Sequence, residues 1–183
     1  MEAFLVSAGI VALAEMGDKT QLLALVLTAR YRRPLPIVLG IFLATLVNHA
    51  LAAAFGATVA ALIGASFMRW IVAGSFLAMA AWTLVPDRVD ESSVKEPKAG
   101  VLLATLSVFF LAEIGDKTQI ATVALAARYM ATSAVVAGTT LGMMIANVPI
   151  VLAGERLLRK LPMRAAHRLA AALFALFGVL ALL

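Results

Sequence analysis

The sequence predicts an all-α integral membrane fold: six transmembrane helices arranged as two inverted three-helix repeats. Three observations predict it. Of the 183 residues, 63% are hydrophobic and 14% are charged, with a mean hydropathy of +1.02, which leaves too little polar surface for a water-soluble globule. The apolar residues fall into six long runs. One stretch, LAEMGDKTQ at 13–21, returns almost unchanged as LAEIGDKTQ at 111–119.

The first run is read as a span at 3–29. Only Met1 and Glu2 precede it, without the basic start of a signal peptide, so it is expected to be retained as a span. The second span is read at 36–63 and the third at 68–85, with Trp70 and Trp82 near its ends as interface anchors. The polar stretch 86–99, PDRVDESSVKEPKA, then divides the chain into a first repeat, 1–85, and a second, 100–183. In the second repeat the spans are read at 100–126, 133–154 and 166–183, with Pro149 expected to bend the middle one. The runs 3–29 and 100–126 exceed the ~20 residues that a straight helix needs, so each is expected to tilt or break.

Counting supports the duplication. At an offset of 98, residues 13–31 are identical to 111–129 at 12 of 19 positions, and Gly40, Leu43 and Gly56 align with Gly138, Leu141 and Gly154. Three spans per half is an odd number, so the second half must enter the membrane from the opposite side. With the N-terminus outside, the cytoplasmic connections carry Arg30, Arg32, Arg33, Arg88, Lys95, Lys98, Arg156, Arg159, Lys160, Arg164 and Arg168, against Arg69 and Arg128 on the other face. This asymmetry places both termini outside the cytoplasm. It also gives the net charge of +5 a topological use and leaves no case for a nucleic-acid partner. The chain has no cysteine, which excludes disulfides and thiolate metal sites.

Each motif places two acids and a lysine inside an apolar span: Glu15, Asp18 and Lys19, then Glu113, Asp116 and Lys117. A charge near the bilayer centre costs roughly 2.5–3.5 kcal/mol on insertion scales, so these groups should face one another rather than lipid. A structural reading pairs Glu15 with Lys19 and Glu113 with Lys117, four residues apart on one helix face. That accounts for the lysines as charge balance and leaves two carboxylates over. In the functional reading, Glu15, Asp18 and Gln21 follow neighbouring parts of one face at three-residue steps, and Glu113, Asp116 and Gln119 repeat them from the opposite direction. Packed across a two-fold axis, the six would form an oxygen-rich metal cage at the midplane. Gly17 and Gly115 are points where the helix can loosen and offer carbonyls. Such ligands suit hard cations such as Ca²⁺, Mn²⁺ or Mg²⁺ over Zn²⁺ or Cu⁺.

Further candidates are weaker. Thr20 and Thr118 could add hydroxyls, or bond their own helix backbone instead. Asn48 and Asn147 are candidates for extra ligands or a proton relay, with interhelical packing as the equal alternative, and His49 is read as a packing residue. The glycines at 40, 56, 138, 142 and 154 are expected to allow close helix contact.

The pattern Glu-x-Gly-Asp-Lys/Arg-Thr/Ser, present twice as EMGDKT and EIGDKT in a six-span chain with a polar middle linker, resembles the Gdt family of manganese and calcium transporters. The resemblance spans nearly the whole chain. It implies a secondary transporter that removes Mn²⁺ or Ca²⁺ from the cytosol by antiport with protons, with Glu15, Asp18, Glu113 and Asp116 as ion ligands. The ion and the protons are then cargo, no resident cofactor is implied, and the compact form suggests a bacterial inner (plasma) membrane. Two other classes compete. An intramembrane enzyme could use paired carboxylates, although the arginines lie in loops or at span ends, where they make no phosphate clamp within the membrane. A six-span amino-acid exporter would need a larger amphipathic cavity. The choice between Mn²⁺ and Ca²⁺, the proton stoichiometry and the oligomeric state, a homo-oligomer included, stay open at this level.

Overall fold

The computed structural model describes residues 1–85, 100–154 and 163–182. The linker 86–99 and the basic residues Arg88, Lys95, Lys98, Arg156, Arg159 and Lys160 lie outside the described residues. Within them the chain is helical, with no strand: α1 (Glu2–Ala14), α2 (Lys19–Tyr31), α3 (Pro34–Ile63), α4 (Ala65–Trp82), α5 (Val101–Glu113), α6 (Lys117–Tyr129), α7 (Thr132–Ala153) and α8 (Met163–Leu180). α3, α7 and α8 are long and apolar enough to cross a membrane by themselves.

The two long runs of the sequence break rather than tilt. α1, α2, α5 and α6 each have 13 residues, about 20 Å of helix at 1.5 Å per residue, short of the hydrocarbon thickness. The break follows from the glycine of each motif, since Gly17 has φ +81° and Gly115 φ +73°, a left-handed conformation that a side chain resists. Asp18 N–H donates to Glu15 O and Asp116 N–H to Glu113 O, both at 3.1 Å. With Ile114 at φ −62°, ψ 120°, residues Glu113–Asp116 have the pattern of a type II turn, which demands glycine at its third position.

Two other boundaries move. α4 and α8 each begin and end three residues before the spans read at 68–85 and 166–183. For α4 the cause is Gly64, whose φ of +85° ends α3 and lets the next helix start at once.

Packing interlocks the halves of the chain. α1 lies on α7 and α5 lies on α3, so each leading half-helix is seated by the other half's long helix. The aligned glycines make those seats. A Cβ on Gly40 would come within 2.7 Å of Thr105 Cβ on α5, and one on Gly138 would collide with the Phe4 carbonyl of α1. Gly142 repeats the close approach one turn on, where a Cβ would lie 2.5 Å from Ala8 O, and Gly56 lies against the Val123 carbonyl of α6. Gly154, the fifth expected contact glycine, makes no such seat among the described residues. No atom of a described residue lies within 4 Å of its Cβ position, and its φ of +66° serves the end of α7.

Polarity is inverted relative to a soluble protein. Leu35, Leu39, Leu43, Val47, Leu51 and Phe55 form an exposed stripe along α3 at four-residue spacing, while Thr45, Asn48 and His49 of the same helix are buried. An apolar exterior over a polar interior is stable only in a solvent that is itself apolar. The chain is accordingly a membrane protein. Apolar packing flanks the polar interior, around Phe76, Phe174 and Leu125 in one cluster and Leu27, Ile41 and Phe109 in the other.

Candidate metal centre

The two breaks bring the motif residues together in the interior. Glu15 caps the end of α1, while Asp18 and Asp116 occupy the N-cap positions of α2 and α6 with extended backbones, ψ 168° and 160°. Neither aspartate caps its own helix with its side chain. Glu15, Asp18 and Asp116 instead each offer an oxygen to one cluster, all within 4.8 Å of one another. All three side chains are buried. The N-terminal ends of α2 and α6 add the positive poles of two helix dipoles at the aspartates.

The fourth acid, Glu113, is also buried and is held separately. Thr45 Oγ1 donates to its Oε1 at 2.6 Å and Asn48 Nδ2 to its Oε2 at 3.0 Å. Asn48 Nδ2 also donates to Phe110 O at 3.0 Å, fixing α3 to α5. Thr45 is the site residue that sequence reasoning missed. It lies three positions before Asn48 in the same helix, so a search for polar residues on the Asn48 face would have found it. Glu15 is held more loosely: its Oε2 accepts from Thr20 Oγ1, and its Oε1 has no hydrogen-bond partner among the described residues. In the second motif Thr118 Oγ1 donates to Asp116 Oδ2 at 3.3 Å rather than to the glutamate.

The lysines do not pair along their own helices. Because the break removes the helical register between Glu15 and Lys19, and between Glu113 and Lys117, the four-apart ion pairs expected from the sequence do not form. Lys19 Nζ pairs with Asp116 Oδ1 at 3.1 Å, and Lys117 Nζ pairs with Asp18. Each lysine thus holds the aspartate of the other motif. Lys117 is buried at 1% exposure, whereas Lys19 keeps 28%.

The glutamines hold the turns. Gln21 Oε1 accepts the Gly17 N–H at 2.9 Å and Gln119 Oε1 the Gly115 N–H at 2.7 Å, each reaching back over the helix start much as in a capping box. Gln21 also donates from Nε2 to Ala146 O at 2.7 Å, beside a cavity of about 260 Å³ lined by Met16, Ala146 and Pro149. Asn147 bonds within its own helix, with Nδ2 donating to Met143 O at 3.1 Å. His49 is fully buried, and neither ring nitrogen has a hydrogen-bond partner among the described residues.

Among the described residues the breaks are covered unequally. A Cβ on Gly17 would lie 2.9 Å from Met163 Sδ and 3.1 Å from His167 Nε2, so the start of α8 lies over the first motif. Among the described residues nothing lies within 4 Å of the corresponding position on Gly115.

Chemically, this is a hard-oxygen cluster in an apolar surround. Four acids and two lysines carry a formal charge of −2, which one divalent cation would neutralise. Comparison with known proteins agrees with that chemistry. The family model described as "Divalent cation/proton antiporter GDT1" matches residues 3–91 and 101–183. A protein of Vibrio cholerae serotype O1 named "Putative manganese exporter" is 50% identical over 181 residues, covering 98% of this chain and 90% of its own. No solved structure matches the chain.

Proposed function

Because the chain belongs to the GDT1 family of divalent cation/proton antiporters, we propose that it exports Mn²⁺ from the cytosol in exchange for protons, its two motifs forming one ion site. The family is one of transporters, and cation transport rather than catalysis is the activity of the chain. The observation that carries the finer reading is the convergence of Glu15, Asp18 and Asp116, buried and within 4.8 Å, from two motifs almost 100 residues apart. The name carried by the Vibrio relative favours Mn²⁺ over Ca²⁺ as cargo.

In this reading the halves 1–85 and 100–183 are inverted three-span repeats, and the breaks meet near the midplane. The protein is multi-pass in the inner (plasma) membrane, both termini outside the cytoplasm. Glu15, Asp18 and Asp116 bind the ion, and Glu113 joins them from its seat on Thr45 and Asn48. Thr20 orients Glu15, Thr118 orients Asp116, and Gln21 and Gln119 keep the turns in shape rather than serving as ligands. Asn147, bonded within α7, has a packing role.

One divalent cation or two protons neutralise the same formal charge of −2, so the two cargoes compete for the carboxylates. A fully ionised site without cargo is disfavoured in a low-dielectric interior. The protein therefore changes sides mainly when loaded, which is the coupling that antiport needs.

The test is Mn²⁺ flux in proteoliposomes under an imposed pH gradient, with Ca²⁺ run in parallel. Mn²⁺ should move against the proton gradient. Carboxylates must be deprotonated to hold the ion, so flux should weaken as pH falls on the cation-binding side. Flux indifferent to pH and to the gradient would indicate a channel and overturn the antiport reading.

A further inference from the structure

The crossed ion pairs give Lys19 a part in transport beyond charge balance, one that rests on the ion site proposed above. Asp18 and Asp116 are two of the three acids whose oxygens converge, and both are engaged by a lysine of the other motif. A divalent cation among Glu15, Asp18 and Asp116 needs those oxygens, since hard divalent ions of this kind take six or more oxygen ligands and one glutamate supplies at most two. The ammonium groups and the ion therefore compete for one set of acceptors, and in an interior of low dielectric they repel each other strongly.

The two lysines differ in what they can do about it. Lys117 is 1% exposed and has nowhere to carry its charge without a large desolvation cost. Lys19 is 28% exposed and already reaches the surface of the protein. The structure assigns Lys19 the role of a tethered competitor: its ammonium holds the Asp116 oxygen that the ion must take, and binding of the ion drives it off toward the exposed side while Lys117 stays.

Displacement has two consequences. When the ion departs, Lys19 returns to Asp116 and relieves the negative charge left in the site, which favours release over retention. The Lys19–Asp116 pair also ties the start of α2 to the start of α6, so its rupture loosens the junction between the two broken spans only when cargo is present. Lysines that served charge balance alone would keep both pairs intact with the ion bound.

The experiment is amine labelling of the full chain by acetic anhydride with and without Mn²⁺, read at Lys19 and Lys117 by peptide mass mapping, beside calorimetry of Mn²⁺ binding. Mn²⁺ should speed labelling of Lys19 several-fold and leave Lys117 slow. Lys19→Gln should tighten Mn²⁺ binding about tenfold by removing a charge-assisted competitor, whereas Lys19→Arg, which keeps a cation, should bind close to the native level. Should the glutamine variant fail to fold, labelling of the native chain decides alone. Unchanged or slower Lys19 labelling in protein that binds Mn²⁺ overturns displacement and leaves the ion site standing. Absence of Mn²⁺ binding overturns both.

Discussion

Thr45 Oγ1 donates a 2.6 Å hydrogen bond to Glu113 Oε1, joining the middle of α3 to the acid that ends α5 across 68 residues of chain. Asn48 completes the hold on the other oxygen at 3.0 Å. At the repeat offset of 98 the matching positions are Met143 and Ala146, whose side chains offer no donor to Glu15. Among the described residues, two acids in equivalent motif positions are therefore held unequally, Glu113 at both oxygens and Glu15 at one. A duplicated motif has produced a site without equivalent halves.

Thr45→Val should accordingly raise the KM for Mn²⁺ about tenfold, the worth of a hydrogen bond to a charged group, with maximal flux changed far less. Thr45→Ser keeps the hydroxyl and should restore the native KM. Flux measured against Mn²⁺ concentration in proteoliposomes checks this, and a serine variant as impaired as the valine variant would show that Thr45 acts through packing.

Asp18→Asn and Glu113→Gln should each abolish Mn²⁺ flux and leave a folded, membrane-inserted protein. Each swap conserves volume and removes one of four carboxylates, and the remaining three should hold a divalent ion poorly. Asp18→Asn also deprives Lys117 of its carboxylate, so its melting temperature should fall further than that of Glu113→Gln. Native flux in either variant would count against the ion site.

Gln21→Leu should destabilise the protein more than Gln119→Leu. Both remove the acceptor for a glycine N–H at a turn, but Gln21 is buried and also supports Ala146 O, whereas Gln119 is half-buried. An unsatisfied buried polar group costs about 1–3 kcal/mol; the Gln21 change strips the part-buried Gly17 N–H of its acceptor and also removes the second donor to Ala146 O. Thermal unfolding in detergent compares them, with equal shifts arguing that the Ala146 contact carries no stability.

The sequence by itself determined what depends on composition and on neighbours along the chain. Excess apolar residues require a membrane; the repeat of LAEMGDKTQ as LAEIGDKTQ puts the same charges into both halves; and runs longer than a bilayer foretell a tilt or a break, with a central glycine as the point where a helix can loosen. The turns at Gly17 and Gly115 are local events, decided by which residues tolerate positive φ.

Only the tertiary structure decided the partners. A helical register pairs Glu15 with Lys19, but the turn between them abolishes that register, and the lysines cross to Asp116 and Asp18 instead. The hold of Thr45 and Asn48 on Glu113 likewise depends on α5 lying on α3, a contact made close by Gly40. Residues about a hundred positions apart meet only where helices pack, and helix packing depends on shape across the whole interior. Spacing along one chain segment records none of it.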